Sequence, residues 1–194
     1  MVESWRCDDG GYFKSGLMSA TDSPFSSIEG VYSLIYADPP WRYSFSRSKS
    51  RQIENHYSTM TQKEIKDLPL DDICAPNCVL YLWATAPKLP EALDVMEAWK
   101  FNYKSQMIWD KVNIGMGYWA RGRHEILLIG TRGKFSPPSP DVRRPSIIRS
   151  RRTRHSAKPE VVYEYLETAH PLNKKIELFA RNKRAGWTSW GLEV

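Results

Sequence analysis

The sequence is poor in the features that mark secreted and membrane proteins. It has three cysteines, and an odd number in so short a chain argues against a disulfide framework and favours buried or incidental thiols. No apolar run approaches the roughly 20 residues that a membrane helix needs. Residues 1–11 also lack the charged-then-apolar order of a signal peptide. We therefore predict a cytoplasmic protein with no membrane partner.

Motifs for several common chemistries are absent as well. None of the four histidines is spaced from another as metal ligands are, and Cys74 and Cys78 have no second Cys or His pair nearby at zinc spacing. There is no Walker loop, and no Gly-x-Gly-x-x-Gly follows the first strand candidate. No motif typical of a Ser/His/Asp triad is present. We expect no metal site.

The composition is that of one globular domain, with 41% hydrophobic and 26% charged residues. Short apolar, β-favouring runs alternate with segments of helical periodicity, which predicts an α/β fold with a mostly parallel sheet and flanking helices. The predicted strands are 31–37, 78–84, 105–109, 125–131 and 175–181. The predicted helices start at the capping box of Thr61, cover 88–100 and follow Pro159. An irregular segment, 1–27, precedes the domain at 28–194.

The net charge of +6 is concentrated in one short stretch. Residues 143–154 contain six arginines and no acid, whereas the rest of the chain has 22 basic and 22 acidic residues. Such arginines either form a solvated charge run or bind an anionic partner, and guanidinium groups suit phosphate. We predict a basic substrate loop at about 133–157 that binds nucleic acid. Its predicted contacts are Arg149, Arg151, Arg152 and Arg154.

The most informative motif is Asp38-Pro39-Pro40-Trp41, directly after the first predicted strand. The exocyclic amine of adenine is a poor nucleophile because its lone pair is delocalised into the ring. Two acceptors that bind its N–H groups would free that lone pair. The Asp38 carboxylate can be one acceptor and the Pro39 carbonyl the other, since two prolines stiffen the backbone. Trp41 offers a face for base stacking, worth about 1–3 kcal/mol in comparable contacts.

This motif therefore predicts methyl transfer to the amine of adenine, with positioning and fixed acceptors as the main sources of catalysis. An adenine within a duplex would have to flip out of the stack to reach Asp38. The alternative is a simple turn after a strand, with Trp41 packed in the core.

Seven blocks resemble, in the same order, the catalytic subunit of the eukaryotic messenger-RNA adenosine methyltransferase and, more closely, its small bacterial and phage relatives. They are LIYADPPW (34–41), HYSTM (56–60), LYLWAT (80–85), IWDK (108–111), GYW to LIGTRG (117–133), HSAKPE (155–160) and KIELFAR (175–181). The resemblance implies a Rossmann-like methyltransferase fold, circularly ordered with the catalytic loop before the cofactor strand, in a bacterial or phage-encoded protein. It implies S-adenosyl-L-methionine as cofactor and nucleic acid as partner. A homodimer and a heterodimer with a paralogue are both compatible with it.

The resemblance also assigns roles to residues. Lys158 would bind the methionine carboxylate, aided by the helix that Pro159 opens. The cofactor-binding set is Asp38, Lys158, Glu177, Arg181 and Asn182. Glu177 and Arg181 could instead be a strand-end salt bridge and a surface charge. The substrate-binding set is Tyr43, His56, Tyr57, Trp119, Arg121 and His124. Asn182-Lys183 and Leu192-Glu193 depart from the family's His-Asn and Asn-Gln pairs.

Three functions fit the sequence: adenine methylation in DNA, the same chemistry on RNA, and a non-catalytic nucleic-acid-binding paralogue. The catalytic block does not separate the first two, because DNA and RNA present the same base. The small size resembles the bacterial and phage branch, which mostly modifies DNA, so DNA is the predicted substrate. The intact Asp-Pro-Pro-Trp tetrapeptide argues against the paralogue.

Overall fold

A computed structural model of the chain, described for residues 23–43, 59–117, 119–152, 157–191 and 194, has the α/β architecture that was predicted. The strands are β1 (Tyr32–Ala37), β2 (Cys74–Ala84), β3 (Asn102–Asp110), β4 (His124–Arg132), β5 (Ile147–Arg149), β6 (Lys175–Leu178) and β7 (Thr188–Trp190). The α-helices are α1 (Gln62–Lys66), α2 (Leu89–Ala98) and α3 (Glu160–Ala169). Short 3₁₀ turns cover Leu70–Asp72, Ala86–Lys88 and Pro140–Val142. Within the described ranges, no helix combines the length and apolarity needed to cross a bilayer.

All five predicted strands form, with shifted ends, and the edge strands β5 and β7 add to them. The capping box is present, because the Thr61 hydroxyl accepts from the Glu64 N–H and the Glu64 carboxylate accepts from the Thr61 N–H. Pro159 is the N-cap of α3 rather than its first helical residue. The last predicted strand stops before Phe179, whose φ of 63° turns the chain out of the sheet.

The seven strands form one sheet in the order β5-β3-β4-β2-β1-β6-β7, and only β4 runs antiparallel to its neighbours. The sheet is thus mostly parallel, as predicted. The reversal of β4 puts its amino end beside the carboxyl ends of the other strands, so that His124 pairs with Asp110 and Ile126 with Ala84. We call this side of the sheet the carboxyl edge. Ligands of parallel sheets bind at such an edge.

The sheet is buried on both faces. Successive residues of a strand point to opposite faces, so Ile35 of β1 packs in the core that α1 and α2 cover, and Tyr36 packs in the core that α3 covers. Double-sided burial explains why the central strands read as continuous apolar runs. Cys74 and Cys78 are buried free thiols, as predicted.

The described part of the N-terminal segment packs against β7. Phe25 is buried, with its ring centroid 4.9 Å from that of Trp190. The Trp190 indole N–H donates to the Pro24 carbonyl at 3.0 Å. Residues 1–22, which include Cys7, lie outside the described residues.

The predicted basic loop at 133–157 is not one irregular loop, because it contains the strand β5. After β4 the chain lies near the start of β2, where the Lys134 N–H donates to the Asn77 side chain at 2.6 Å. It then returns as β5, parallel to β3, and brings Arg149 opposite Asp110 at the carboxyl edge. The strand escaped prediction because it has three residues, too few to show a period among Pro, Ser and Arg.

The strand β5 therefore divides the arginines into two groups. Arg143 and Arg144 precede the strand, where their charges act on the Tyr165 hydroxyl of α3. Arg151 and Arg152 follow the strand and are exposed beyond the carboxyl edge. The second group lies beside the ligand-binding side of the sheet, as does Arg149 of β5, whereas the first group does not.

Backbone hydrogen bonds join the two sides of the segment 44–58, which lies outside the described residues. The Met60 N–H donates to the Pro40 carbonyl at 2.8 Å, and the Arg42 N–H donates to the Met60 carbonyl at 3.1 Å. These bonds form an isolated bridge between Trp41 and Met60. The bridge and the capping box that follows it hold residues 60–66 close to Trp41 and the carboxyl edge.

Candidate active site

A cavity opens at the carboxyl edge, where β1, β2 and β4 meet the loops after β1 and β6. Acidic, basic and aromatic side chains share its lining, which consists of Asp38, Pro39, Pro40, Trp41, Tyr43, Thr59, Trp83, Ala84, Thr85, Glu125, Lys158 and Arg181. The whole Asp-Pro-Pro-Trp motif belongs to this lining. The motif therefore faces a cleft that a ligand can enter.

The backbone of the motif is a tight turn. The Asp38 N–H donates to the Leu178 carbonyl at 3.5 Å, and the Trp41 N–H donates to the Pro39 carbonyl at 2.9 Å. The Pro39 carbonyl keeps a second lone pair, which a ligand N–H can use. Trp41 is 6% exposed, and its indole N–H donates to the Trp83 carbonyl at 3.1 Å. Trp41 thus packs in the core and also lines the cavity.

Four side chains of alternating charge form a ladder, and three of them (Asp38, Lys158 and Glu125) line the cavity. The Lys158 ammonium binds Asp38 Oδ2 at 2.6 Å and Glu125 Oε2 at 3.3 Å. The other oxygen of Glu125 accepts from the Lys111 ammonium. All of these side chains are largely buried, so their charges interact more strongly than surface ion pairs do.

Burial and neighbouring charges act in opposite directions on the pKa values of this ladder. Burial raises the pKa of the Asp38 carboxyl, and the Lys158 charge offsets part of the rise. Burial would also raise the pKa of Glu125, but Lys158 and Lys111 outweigh it and lower that pKa. Burial would lower the pKa of the Lys158 ammonium, but the two carboxylates outweigh it and raise that pKa. Lys158 therefore stays charged and favours the ionised form of Asp38.

The other predicted cofactor residues lie at the end of β6. Arg181 lines the cavity, and its charge helps to lower the pKa of Asp38. Glu177 lies on the α3 side of the sheet, outside the lining, and accepts a hydrogen bond from the Tyr163 hydroxyl at 2.8 Å. Burial, with help from the Asp38 charge, raises the pKa of Glu177 to about 7. Asn182 follows on the next loop and is not part of the lining.

The predicted substrate residues fall into three groups. Tyr43 lines the cavity, where its hydroxyl is bonded to the Thr85 hydroxyl at 2.6 Å. Those exposed at the carboxyl edge outside the cavity are Trp119, Arg121, His124, Arg149, Arg151 and Arg152. Those outside the described residues are His56, Tyr57 and Arg154.

Sequence reasoning missed Glu125 and Lys111, which complete the ladder. Glu125 is the second residue of β4, and in an all-parallel sheet that end of a strand would lie far from the ligand. Only the reversal of β4 brings it to the cavity. A signal did exist: residues 111–123 show no helical periodicity, whereas a parallel crossover usually contains a helix.

The donor set of the cavity fits S-adenosylmethionine. A lysine ammonium binds three acceptors, so Lys158 can hold a carboxylate while it still contacts Asp38 and Glu125. Trp41 and Tyr43 supply aromatic surface for a purine. In the part of the chain that the structure describes, no group of three His, Cys, Asp or Glu residues is arranged to hold a metal ion.

Known proteins of similar sequence include methyltransferases from bacteria, fungi and animals. The type II methyltransferase M.MunI of Mycoplasma sp is 32% identical, over 84% of this chain and 78% of that protein. The N6-methyladenosine RNA methyltransferase MTA1 of Cryphonectria parasitica is 29% identical, over 95% of this chain and 58% of that protein. The N(6)-adenine-specific methyltransferase METTL4 of Homo sapiens is 28% identical, over 88% of this chain and 39% of that protein. The MT-A70 family model matches residues 32–193. The chain therefore belongs to the MT-A70 family of adenine N6 methyltransferases.

Proposed function

We propose that this protein transfers a methyl group from S-adenosylmethionine to the exocyclic amine of adenine in DNA. The observation that carries the proposal is the buried pairing of Asp38 with Lys158 in a cavity that the whole Asp-Pro-Pro-Trp motif lines. A carboxylate, a carbonyl with a free lone pair and an aromatic ring are the groups that an aminopurine needs for binding and activation.

In this proposal the amine binds between two acceptors. One N–H donates to the Asp38 carboxylate and the other to the free lone pair of the Pro39 carbonyl. The nitrogen then becomes pyramidal. Its lone pair is directed out of the plane of the ring and towards the methyl donor. Asp38 also stabilises the positive charge that develops on nitrogen, and an acceptor fixed in place does so without reorganising. The methylated ammonium is acidic and loses its proton afterwards, so Asp38 need not be a strong base.

Lys158 orients the methyl donor by binding its carboxylate, and Arg181 lies in the same cavity lining. S-adenosylmethionine, when bound, supplies a sulfonium methyl that is an intrinsically good electrophile. The contribution of the chain is therefore positioning, which can account for roughly 7–11 kcal/mol of a barrier. Lys158 serves both reactants, because the same ammonium keeps Asp38 ionised.

DNA is favoured over RNA on coverage, whereas charge does not separate the two. The chain spans most of M.MunI but little more than half of the RNA methyltransferase MTA1. The exposed arginines beyond β5 suit a phosphate backbone, which DNA and RNA share. The proposal is tested by tritium transfer from labelled cofactor to DNA and RNA oligomers of matched sequence. We expect label in DNA, and label in RNA alone would reverse the choice of substrate.

The division of the arginines by β5 gives a matched test of the nucleic-acid surface. We expect Arg151→Glu/Arg152→Glu to weaken DNA binding and to lower the slope of log affinity against log salt by about two, since each lost phosphate contact removes about one. Arg143→Glu/Arg144→Glu makes the same charge change on the other side of β5 and should leave affinity and slope nearly unchanged. Fluorescence anisotropy at several salt concentrations measures both pairs. Equal effects of the two pairs would contradict a binding surface at the carboxyl edge.

A further inference from the structure

The connection between β3 and β4 is a hairpin that extends past the carboxyl edge. Its arms are held together by the Lys111 N–H on the Arg123 carbonyl at 2.9 Å and by the Gly115 N–H on the Gly122 carbonyl at 2.6 Å. The first bond directly follows the last pair of β3 and β4, Asp110 and His124, and the second closes the arms further out, so the hairpin is joined to the sheet. We call the described residues 114–117 and 119–121 the hairpin tip.

The hairpin tip presents large apolar side chains to solvent. Trp119 is fully exposed, Met116 is 85% exposed and Ile114 is 56% exposed. An exposed apolar cluster on a soluble domain usually marks an interaction site. Trp119 is the best suited of the three to enter a stack of bases, because its flat ring can replace one of them.

The positive charge around the hairpin tip favours an anionic partner. Arg121 lies on the tip, with its side chain donating to the Gly115 carbonyl at 3.2 Å. The Arg152 guanidinium is next to the hairpin tip, because a Cβ atom placed on Gly115 would lie 3.9 Å from Arg152 Nη2. A second copy of the chain, docked on this face about a two-fold axis, would oppose like charges. Nucleic acid instead offers phosphates to the arginines and a base stack to Trp119.

The hairpin tip is also close enough to the cavity to contact the same stretch of nucleic acid. Glu125 is six positions after Trp119 in the sequence, which limits the distance between their Cα atoms to about 20 Å. An adenine that reaches Asp38 from a duplex must leave the stack, and the gap that it leaves costs stacking energy. An apolar wedge that fills such a gap lowers this cost.

We propose that Trp119 enters the base stack of a double-stranded substrate beside the target adenine and holds that adenine in the flipped-out position. This role rests on the proposed function and adds to it a preference for duplex DNA. It makes Trp119 a positioning residue, since it acts on the neighbours of the reacting base and not on the reacting atoms.

The test compares Trp119→Ala with the wild type on three DNA oligomers of one sequence: single-stranded, duplex, and duplex with a mismatch opposite the target adenine. We expect kcat/KM on the duplex to fall about tenfold or more, because a base–aromatic contact is lost. Activity on the single strand should change less than about twofold, and the mismatch should restore much of the loss because flipping is then easier. Trp119→Phe should retain most of the duplex activity. Leu172→Ala, which changes an exposed side chain between α3 and β6, is the control and should behave as wild type.

Three results of this experiment would contradict the proposed role of Trp119, and each has its own interpretation. If Trp119→Ala lowers transfer equally on all three oligomers, Trp119 does not act as a wedge, while the proposed function stands. If it changes the sedimentation coefficient of the free protein, the hairpin tip is an interface with a second copy and the wedge is wrong. If the wild type labels neither DNA nor RNA, the proposed function fails and the wedge fails with it.

Discussion

Replacing Asp38 with alanine is expected to lower the rate of methyl transfer by about 100- to 1,000-fold, the usual effect of removing one fixed group that stabilises charge in a transition state. Asp38 is the only carboxylate of the Asp-Pro-Pro-Trp turn, and the Pro39 carbonyl alone cannot bind both N–H groups of the amine. Tritium transfer to DNA at saturating cofactor measures the effect. Residual activity above about a tenth of wild type would contradict the proposed mechanism.

The fold should survive this substitution. Without Asp38, the Lys158 ammonium keeps Glu125 at 3.3 Å and is not left as an unpaired buried charge. We therefore expect a urea midpoint close to that of wild type, which separates lost chemistry from lost structure. Asp38→Asn keeps one acceptor without the negative charge, so a rate as low as that of the alanine variant would show that the charge is required. Asp71→Ala removes an exposed aspartate that pairs with Arg132, and its activity should be unchanged.

The sequence was sufficient to predict the parts of the fold that are apolar and long. Strands β1, β2 and β4 contain runs of buried residues on both faces of the sheet, and such runs are visible without a structure. The strands β5 and β7 have three residues each and lie at the edges of the sheet, where half of the pairing and burial is missing. Too few residues remain in such strands to show a pattern.

The direction of β4 is the feature of the fold that the sequence did not predict and that matters most for the site. Hydrophobic pattern shows that a strand is buried but not which way it runs. The sequence therefore did not predict that Glu125 and Lys111 lie beside Asp38 and Lys158, which were singled out from the Asp-Pro-Pro-Trp motif and from the family resemblance. The structure brings all four together across β1, β3, β4 and the start of α3. The ladder between them is a tertiary property that no local motif encodes.

The second large effect is expected at Lys158. Lys158→Met keeps the length of the side chain but removes the ammonium, and we expect the Kd for S-adenosylmethionine to rise about 10- to 100-fold, as for a lost hydrogen bond between charged groups. Isothermal titration calorimetry measures this directly. The same variant removes the Lys158 partner of the buried Asp38 carboxylate and leaves Glu125 with Lys111, so we also expect reduced stability.

Loss of stability alone could weaken binding, so a second variant is needed. Lys158→Met/Glu125→Gln removes one charge of each sign from the ladder and should recover most of the stability. It should not recover the affinity for S-adenosylmethionine, because the cation that binds the carboxylate is still missing. Wild-type affinity in this double variant would show that Lys158 is a structural residue only.

The pH dependence of the Lys158→Met variant tests the link between Lys158 and Asp38. In the proposed mechanism Asp38 must be ionised to accept the amine, so we expect activity to fall as the pH falls through the pKa of this carboxyl. Burial already raises that pKa, and Lys158 is the largest influence that lowers it. Removing the ammonium raises the pKa further, so the acidic limb of the kcat profile should move to higher pH at saturating cofactor.

In the Lys158→Met/Glu125→Gln variant the acidic limb should move part of the way back, because Glu125 also raises the pKa of Asp38. An unshifted acidic limb in Lys158→Met would mean that Asp38 does not depend on Lys158 for its charge.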